Sequence, residues 1–235
     1  MRKDYSDTTI IAPTLNEKEN IAQFLNTVTR MYPGISIIVP DDGSKDSTDR
    51  IVKRMSKKNR RIRLLDRSRK GVHGTTASIL DAALQVRTPK TISMDADFQH
   101  PLNRIKKLSM GLDMYDLVIG VRHGHGKRSF TRRALSKAMI LLALVVYKIR
   151  GLPTCSDMAS GYFAIRTEIF KGLIRNNERA FVYEGNKTLL DILRIIGNKT
   201  RIGEVGYPNF PERKRGKSKF KPRIVTLAFR SIMKW

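Results

Sequence analysis

Through the first half of the chain, short β-branched or apolar runs alternate with longer stretches whose apolar positions recur at helical spacing. Residues 8–11, 35–39, 62–65, 91–94 and 117–121 read as five strands. Between the first two, Ile21, Phe24, Leu25, Val28 and Met31 line one helical face, and Asn16 followed three residues later by Glu19 resembles a capping box. Ile51, Val52 and Met55 mark a second helix opened by Asp46 and Ser47, and residues 75–86 and 101–112 read as a third and fourth. Strand and helix alternating at this spacing predict an α/β fold of βαβ units, with a mainly parallel sheet flanked by helices.

Beyond Val121 the pattern changes. Residues 117–156 hold no acid, while Arg122, Lys127, Arg128, Arg132, Arg133, Lys137, Lys148 and Arg150 are all basic. An apolar run at 138–147 sits inside this stretch, flanked by Lys137 and Lys148. A helix needs ~20 apolar residues to cross a bilayer, so no transmembrane span is expected. Residues 162–166, 187–196 and 202–205 return to strand, helix and strand. Residues 211–223 then carry seven basic residues against one acid and read as a mobile loop. The tail, 223–235, sets Ile224, Val225, Leu227, Phe229, Ile232, Met233 and Trp235 beside Arg223, Arg230 and Lys234. Both the helix expected over about 128–149 and this tail suit amphipathic helices lying in a lipid headgroup region. The competing reading of each is ordinary packing in the core.

Composition narrows the classes. With 40% hydrophobic residues among 235, the chain can bury a core, which excludes a disordered tail. Cys155 is the only cysteine, so no intrachain disulfide forms. Lys and Arg total 46 against 21 Asp and Glu, a net charge of +25 that should attract a polyanion: nucleic acid, an anionic lipid surface or a phosphorylated substrate. The start of the chain lacks the apolar stretch of a secretory signal, and the expected location is cytoplasmic.

Polar residues directly after strands are the first site candidates, because ligands of open parallel sheets bind at the carboxyl ends of the strands. Three sets stand there: Pro13 to Glu17, Asp41 to Ser44, and Asp95 to His100. Each alone is compatible with turn and cap chemistry. Asp95-Ala96-Asp97 is the sharpest, since two carboxylates one residue apart in an extended segment point the same way. With Gln99 they offer hard oxygen ligands to Mg2+ or Mn2+. Asp41, Asp42, Asp46, Asp95 and Asp97 together form a concentration of like charge that a cation is expected to relieve. The histidines lack zinc spacing, and the basic run 50–70 reads as a solvated face.

These motifs, with Ser160-Gly161-Tyr162-Phe163-Ala164 and Arg215-Gly216-Lys217-Ser218-Lys219, resemble the successive motifs of family-two glycosyltransferases. The last two, with Arg132 and Ser136-Lys137, resemble the dolichol-phosphate mannose synthase branch. The resemblance runs in order from Thr8 to Lys219. It implies a GT-A (Rossmann-like) fold, with residues 1–222 as one catalytic domain that includes the basic acceptor loop 211–222, and an amphipathic helix at 223–235. It also implies inverting transfer from a nucleotide-sugar donor, most of all GDP-mannose, to a polyprenyl or dolichyl phosphate. The nucleotide pocket falls on Pro13, Leu15, Glu17, Pro40 and Asp42. The metal and diphosphate site falls on Asp95, Ala96, Asp97 and Gln99. Phosphate-binding cations fall on Arg122, Arg132, Arg213 and Lys219, with Ser136 as a hydrogen-bond donor; Asp97, Arg122 and Arg132 are the expected catalytic residues. Leu15 stands where the branch commonly has Tyr, and Lys217 where it has an acid.

A phosphate acceptor explains why no dedicated base is needed: with a second pKa of about 6 it is already largely dianionic at neutral pH. The chain must instead hold two anionic groups together and neutralise the departing diphosphate. The implied partners are the donor, the lipid phosphate and a membrane surface, bound peripherally or through a separate anchoring subunit. The implied face is cytosolic, of the endoplasmic reticulum in a eukaryote or the plasma membrane in a prokaryote. The alternatives are transfer from a UDP-sugar to polyprenyl phosphate or a hydroxyl, and a nucleic-acid-binding module. No nucleic-acid signature accompanies the charge, and nucleic acid is not an expected partner.

Overall fold

A computed structural model describes residues 4–123, 130–208 and 223–234, with backbone alone for 130–136 and 223–224. Strands β1 (Thr8–Ile11), β2 (Ser36–Asp41), β3 (Ile62–Asp66), β4 (Lys90–Ser93), β5 (Leu117–His123), β6 (Phe163–Arg166) and β7 (Ile202–Pro208) form one sheet in the order β3-β2-β1-β4-β6-β5-β7. The helices are α1 (Lys18–Met31), α2 (Thr48–Lys58), α3 (Thr75–Leu84), α4 (Ile105–Gly111), α5 (Phe130–Ile149), α6 (Thr167–Asn176), α7 (Thr188–Ile195) and α8 (Arg223–Met233). The first four strands are mutually parallel, as the βαβ spacing predicts, and β5 and β7 are parallel to each other. Strand β6 runs antiparallel between β4 and β5, with Lys90 opposite Arg166 and Leu117 opposite Ile165.

Because successive strand side chains point to opposite faces, each strand feeds two cores. Ile11, Ile38, Leu117, Ile119, Phe163 and Ile165 pack with α3, α5, α6 and α7 on one face. Ile10, Ile37, Val39, Ile92, Val118 and Ala164 pack with α1 and α4 on the other, where α2 adds Val52. Burial on both faces explains why β1 reads as an unbroken run instead of an alternating one. The expected capping box is not formed: Glu17 is the N-cap of α1, and the Asn16 side chain instead accepts the Lys45 N–H at 2.7 Å. Asn16 is in the left-handed region at φ 52°, a conformation that Asn tolerates, and so turns out of the helix start.

The apolar run 138–147 is buried on one side of its helix and exposed on the other. Ala143 and Tyr147 are buried, and the Tyr147 hydroxyl donates to the Leu190 carbonyl at 2.8 Å, while Leu141 and Ile149 are 62% and 80% exposed. Helix α8 packs beside α5 and α7. Arg150 donates to the carbonyls of Ile232, Met233 and Lys234 at its C-terminal end, where unsatisfied oxygens need donors. Among the described residues no helix is long and apolar enough to cross a membrane.

Candidate functional site

The carboxyl ends of β1 and β2 are laced into one unit. The Thr14 N–H donates to the Pro40 carbonyl at 2.9 Å and the Asp42 N–H to the Thr14 carbonyl at 3.0 Å, extending the parallel pairing past β1. Asp41 is buried and accepts from the Thr14 hydroxyl (3.0 Å) and the Ser44 N–H (2.9 Å). Asp46 accepts from the Lys18 N–H and from the N–H and hydroxyl of Thr48, joining the starts of α1 and α2. Burial pushes the Asp46 carboxyl up, but these hydrogen bonds outweigh it and hold the group below the usual carboxylate range. Pro13 and Glu17 are half-buried beside this unit, and Leu15 is 40% exposed at its tip. Pro40 is different: it is buried in β2 opposite Leu65 and contributes a carbonyl to the turn.

Asp42 anchors the loop that follows β3. Its carboxylate accepts from Arg67, from the Gly74 N–H at 2.7 Å, and faces His73 Nδ1 at 3.0 Å. Arg67 is the exception to the solvated reading of the run 50–70: its side chain is 2% exposed and also donates to Asp81, Ser78 and the Val72 carbonyl. The expectation that a cation relieves five clustered carboxylates is therefore corrected in part. Asp41, Asp42 and Asp46 are each met by donors of the chain itself.

Asp95 and Asp97 lie in the turn after β4, which is bent instead of extended as the sequence suggested, with Phe98 at φ 65°. The two carboxylates consequently differ in environment. The Asp95 side chain is 47% exposed, whereas Asp97 is buried and accepts the Gln99 N–H at 3.1 Å. The Asp95 N–H donates to Nδ1 of His100, which is buried. Burial, reinforced by the Arg122 charge and opposed by Asp97 and Asp157, pushes the His100 pKa down to about 3, so the ring is neutral.

Arg122, at the end of β5, stands opposite Tyr207 of β7. The Tyr207 hydroxyl is pushed up by burial, against the Arg122 charge, with Asp157 and Asp95 adding to the rise. His100 thus feels the charges of Arg122, Asp97, Asp157 and Lys187, and Tyr207 those of Arg122, Asp157 and Asp95. His100 closed the third candidate set but was given no role of its own, and Asp157, Lys187, Arg67 and His73 were not among the expected site residues. Asp157 carried one usable signal, its place three residues before Ser160-Gly161; Lys187 carried none, since its loop follows no strand of the sheet. Arg132 and Ser136 lie on α5 but their side chains are outside the described residues, as are Arg213, Lys219 and the loop 211–222.

Among the described residues no three His, Cys, Asp or Glu side chains gather as a metal cluster. Two carboxylates and the Gln99 amide form an all-oxygen donor set, which fits a hard divalent cation that keeps positions open for a phosphate. Arg122 and Lys187 supply positive charge nearby.

The comparisons with known proteins concern the fold and the family. Glucosyl-3-phosphoglycerate synthase from Mycobacterium tuberculosis, crystallised with Mn2+, UDP and glucosyl-3-phosphoglycerate, superposes with a TM-score of 0.66 at 17% identity, covering 96% of this chain and 77% of that one. The likeness shows a GT-A fold. The dolichol-phosphate mannosyltransferase of Pyrococcus furiosus is 30% identical over 237 residues, covering 96% of this chain, which spans 63% of that relative's length. The Saccharomyces cerevisiae dolichol-phosphate mannosyltransferase is 25% identical over 233 residues, covering 92% and 82%. A UDP-N-acetylglucosamine–dolichyl-phosphate N-acetylglucosaminyltransferase of Methanococcus voltae is 28% identical over 213 residues, covering 83% and 82%. A family model described as glycosyl transferase family 2 matches residues 9–174, more than half of the chain, and the chain belongs to that family.

Proposed function

We propose that this chain transfers a sugar, mannose from GDP-mannose, to a polyprenyl or dolichyl phosphate with inversion at the anomeric carbon. The observation that carries the reading is the Asp95–Gln99 turn at the carboxyl end of β4, two carboxylates and an amide, with the buried His100 beneath it in the field of both Asp97 and Arg122. Dolichol-phosphate mannosyltransferases among the relatives support the mannosyl group and the dolichyl phosphate acceptor.

Asp95, Asp97 and Gln99 would hold Mg2+ or Mn2+, which when bound supplies positive charge to the donor diphosphate. Pro13, Leu15 and Glu17 border the nucleotide pocket, and Asp42 holds the loop 67–74 that closes its side. Arg122 orients an anionic oxygen, as a guanidinium fork does for phosphate. Arg132, Ser136, Arg213 and Lys219 complete the acceptor clamp. An acceptor phosphate oxygen attacks the anomeric carbon as the bond from that carbon to the diphosphate oxygen breaks. The nucleoside diphosphate carries away the bonding pair, and no proton has to be removed from the attacking oxygen.

The exposed Leu141, Val145 and Ile149 of α5 and Phe229 and Met233 of α8, edged by Lys137, Lys148 and Arg230, support peripheral attachment to an anionic membrane, at the cytosolic face. Transfer from a UDP-sugar is the second reading, favoured by the Methanococcus voltae relative.

The test is transfer of radiolabelled sugar to polyprenyl phosphate in detergent, comparing GDP-mannose with UDP-glucose, with and without Mn2+. The expected result is metal-dependent mannosyl transfer that D97A abolishes and R132A strongly reduces. Robust metal-free transfer overturns the site, and preference for UDP-glucose overturns the donor.

A further inference from the structure

His100 is 2% exposed beneath the acidic turn, and its ring addresses Asp95 at two points. Nδ1 accepts the Asp95 N–H at 2.9 Å, which places the ring proton on Nε2. Nε2 lies 3.8 Å from Asp95 Oδ2, beyond a hydrogen bond.

The ring itself is held from below. Tyr162 stacks on it with centroids 4.9 Å apart and planes 13° from parallel. The Tyr162 hydroxyl donates to the Pro101 carbonyl at 3.0 Å, one residue past the imidazole. The Ser160 hydroxyl donates to the Gly120 carbonyl of β5 at 2.7 Å, and the Tyr162 N–H donates to the same Ser160 oxygen at 3.2 Å. A column thus runs from β5 through Ser160, Tyr162 and His100 to the Asp95 backbone.

The turn needs such support. Phe98 occupies a left-handed conformation that a bulky residue rarely adopts, so the turn between Asp95 and Gln99 keeps its shape only where its ends are fixed. The Asp97 carboxylate fixes one end through the Gln99 N–H, and His100 Nδ1 fixes the other through the Asp95 N–H.

We propose that His100 is a positioning residue for the divalent cation. Its Nδ1 fixes the Asp95–Gln99 turn from which Asp95, Asp97 and Gln99 would hold the ion, and Tyr162 sets the plane of the ring. The proposal rests on the reading that this turn holds the cation. Groups that orient ligands change metal affinity by about 10- to 100-fold when removed, without touching the metal.

The test is direct Mn2+ binding to the purified full chain, read from the free-ion EPR signal, with thermal melts run beside it. H100F keeps an aromatic ring against Tyr162 and removes the acceptor; it should weaken Mn2+ binding by about tenfold or more. H100N replaces Nδ1 with an amide oxygen at nearly the same place and should restore most of that affinity. Where H100F fails to melt cooperatively, Y162F, which loses only the bond to Pro101, carries the test and should weaken binding severalfold. Wild-type affinity in H100F, or in Y162F where that variant carries the test, overturns the proposal alone. So does H100N binding no better than H100F. A wild-type chain that binds no Mn2+ overturns the cation reading and the proposal together.

Discussion

The Arg67 guanidinium closes on the Asp42 carboxylate inside the loop after β3, joining the end of β2 to the start of α3. Arg67 bonds four groups while only 2% of its side chain is exposed, so removing it leaves the 9% exposed Asp42 carboxylate without its guanidinium, whereas Asp81 keeps Lys70 at 3.9 Å. R67M should lower unfolding free energy by about 3–5 kcal/mol, the cost of breaking a buried pair from one side. Urea unfolding followed by circular dichroism measures it; a loss within the error of the method would show that the loop is held elsewhere.

Gly74 lies at φ 149°, and a Cβ there would stand 2.6 Å from the Tyr183 carbonyl oxygen and 2.7 Å from Glu184 Cα. Both neighbours are backbone and cannot swing aside. G74A should therefore cost more than about 1 kcal/mol, by strain and by displacement of the N–H that Asp42 accepts. Its melting temperature should fall, and the KM for the donor should rise more than kcat falls.

Acid should loosen the joined starts of α1 and α2. The Asp46 carboxyl is held below its ordinary 3.8 in the folded chain, so below that value the unfolded chain binds the proton more readily. The contribution is present in full above the unfolded pKa and lost as pH falls through the folded one. D46N should melt lower than wild type at pH 7 and show a shallower decline of melting temperature between pH 5 and pH 3. Parallel acid limbs in the two proteins would remove Asp46 from the account.

On α5, Leu141 and Ile149 are 62% and 80% exposed, so charge at these positions should leave the core intact. L141E/I149E is expected to melt like wild type and to lose most co-sedimentation with vesicles containing anionic lipid. Undiminished sedimentation would move the membrane contact to another face.

Much of the fold was legible, since β1 and the strand beginning at Ile62 announce themselves by β-branched runs between turn residues. Helix α6 was not read, although Phe170, Leu173 and Ile174 have helical spacing, because it begins at Thr167 directly after β6 with no intervening loop. The direction of β6 was also invisible. It depends on how the chain returns through residues 151–161 to enter between β4 and β5, and side-chain pattern is the same for either strand direction.

The sequence by itself determined the two-sided strands, the helical faces and the placing of Asp95, Asp97 and Gln99 after β4, because these follow from local period and turn chemistry. Only the tertiary structure decided that Asp42 is held by Arg67 within the chain, that Arg122 stands opposite Tyr207, and that His100 beneath the acidic turn feels the charges of Arg122, Asp157 and Lys187. Those residues come from segments far apart along the chain, and what makes them one site is the order in which the sheet stacks its strands.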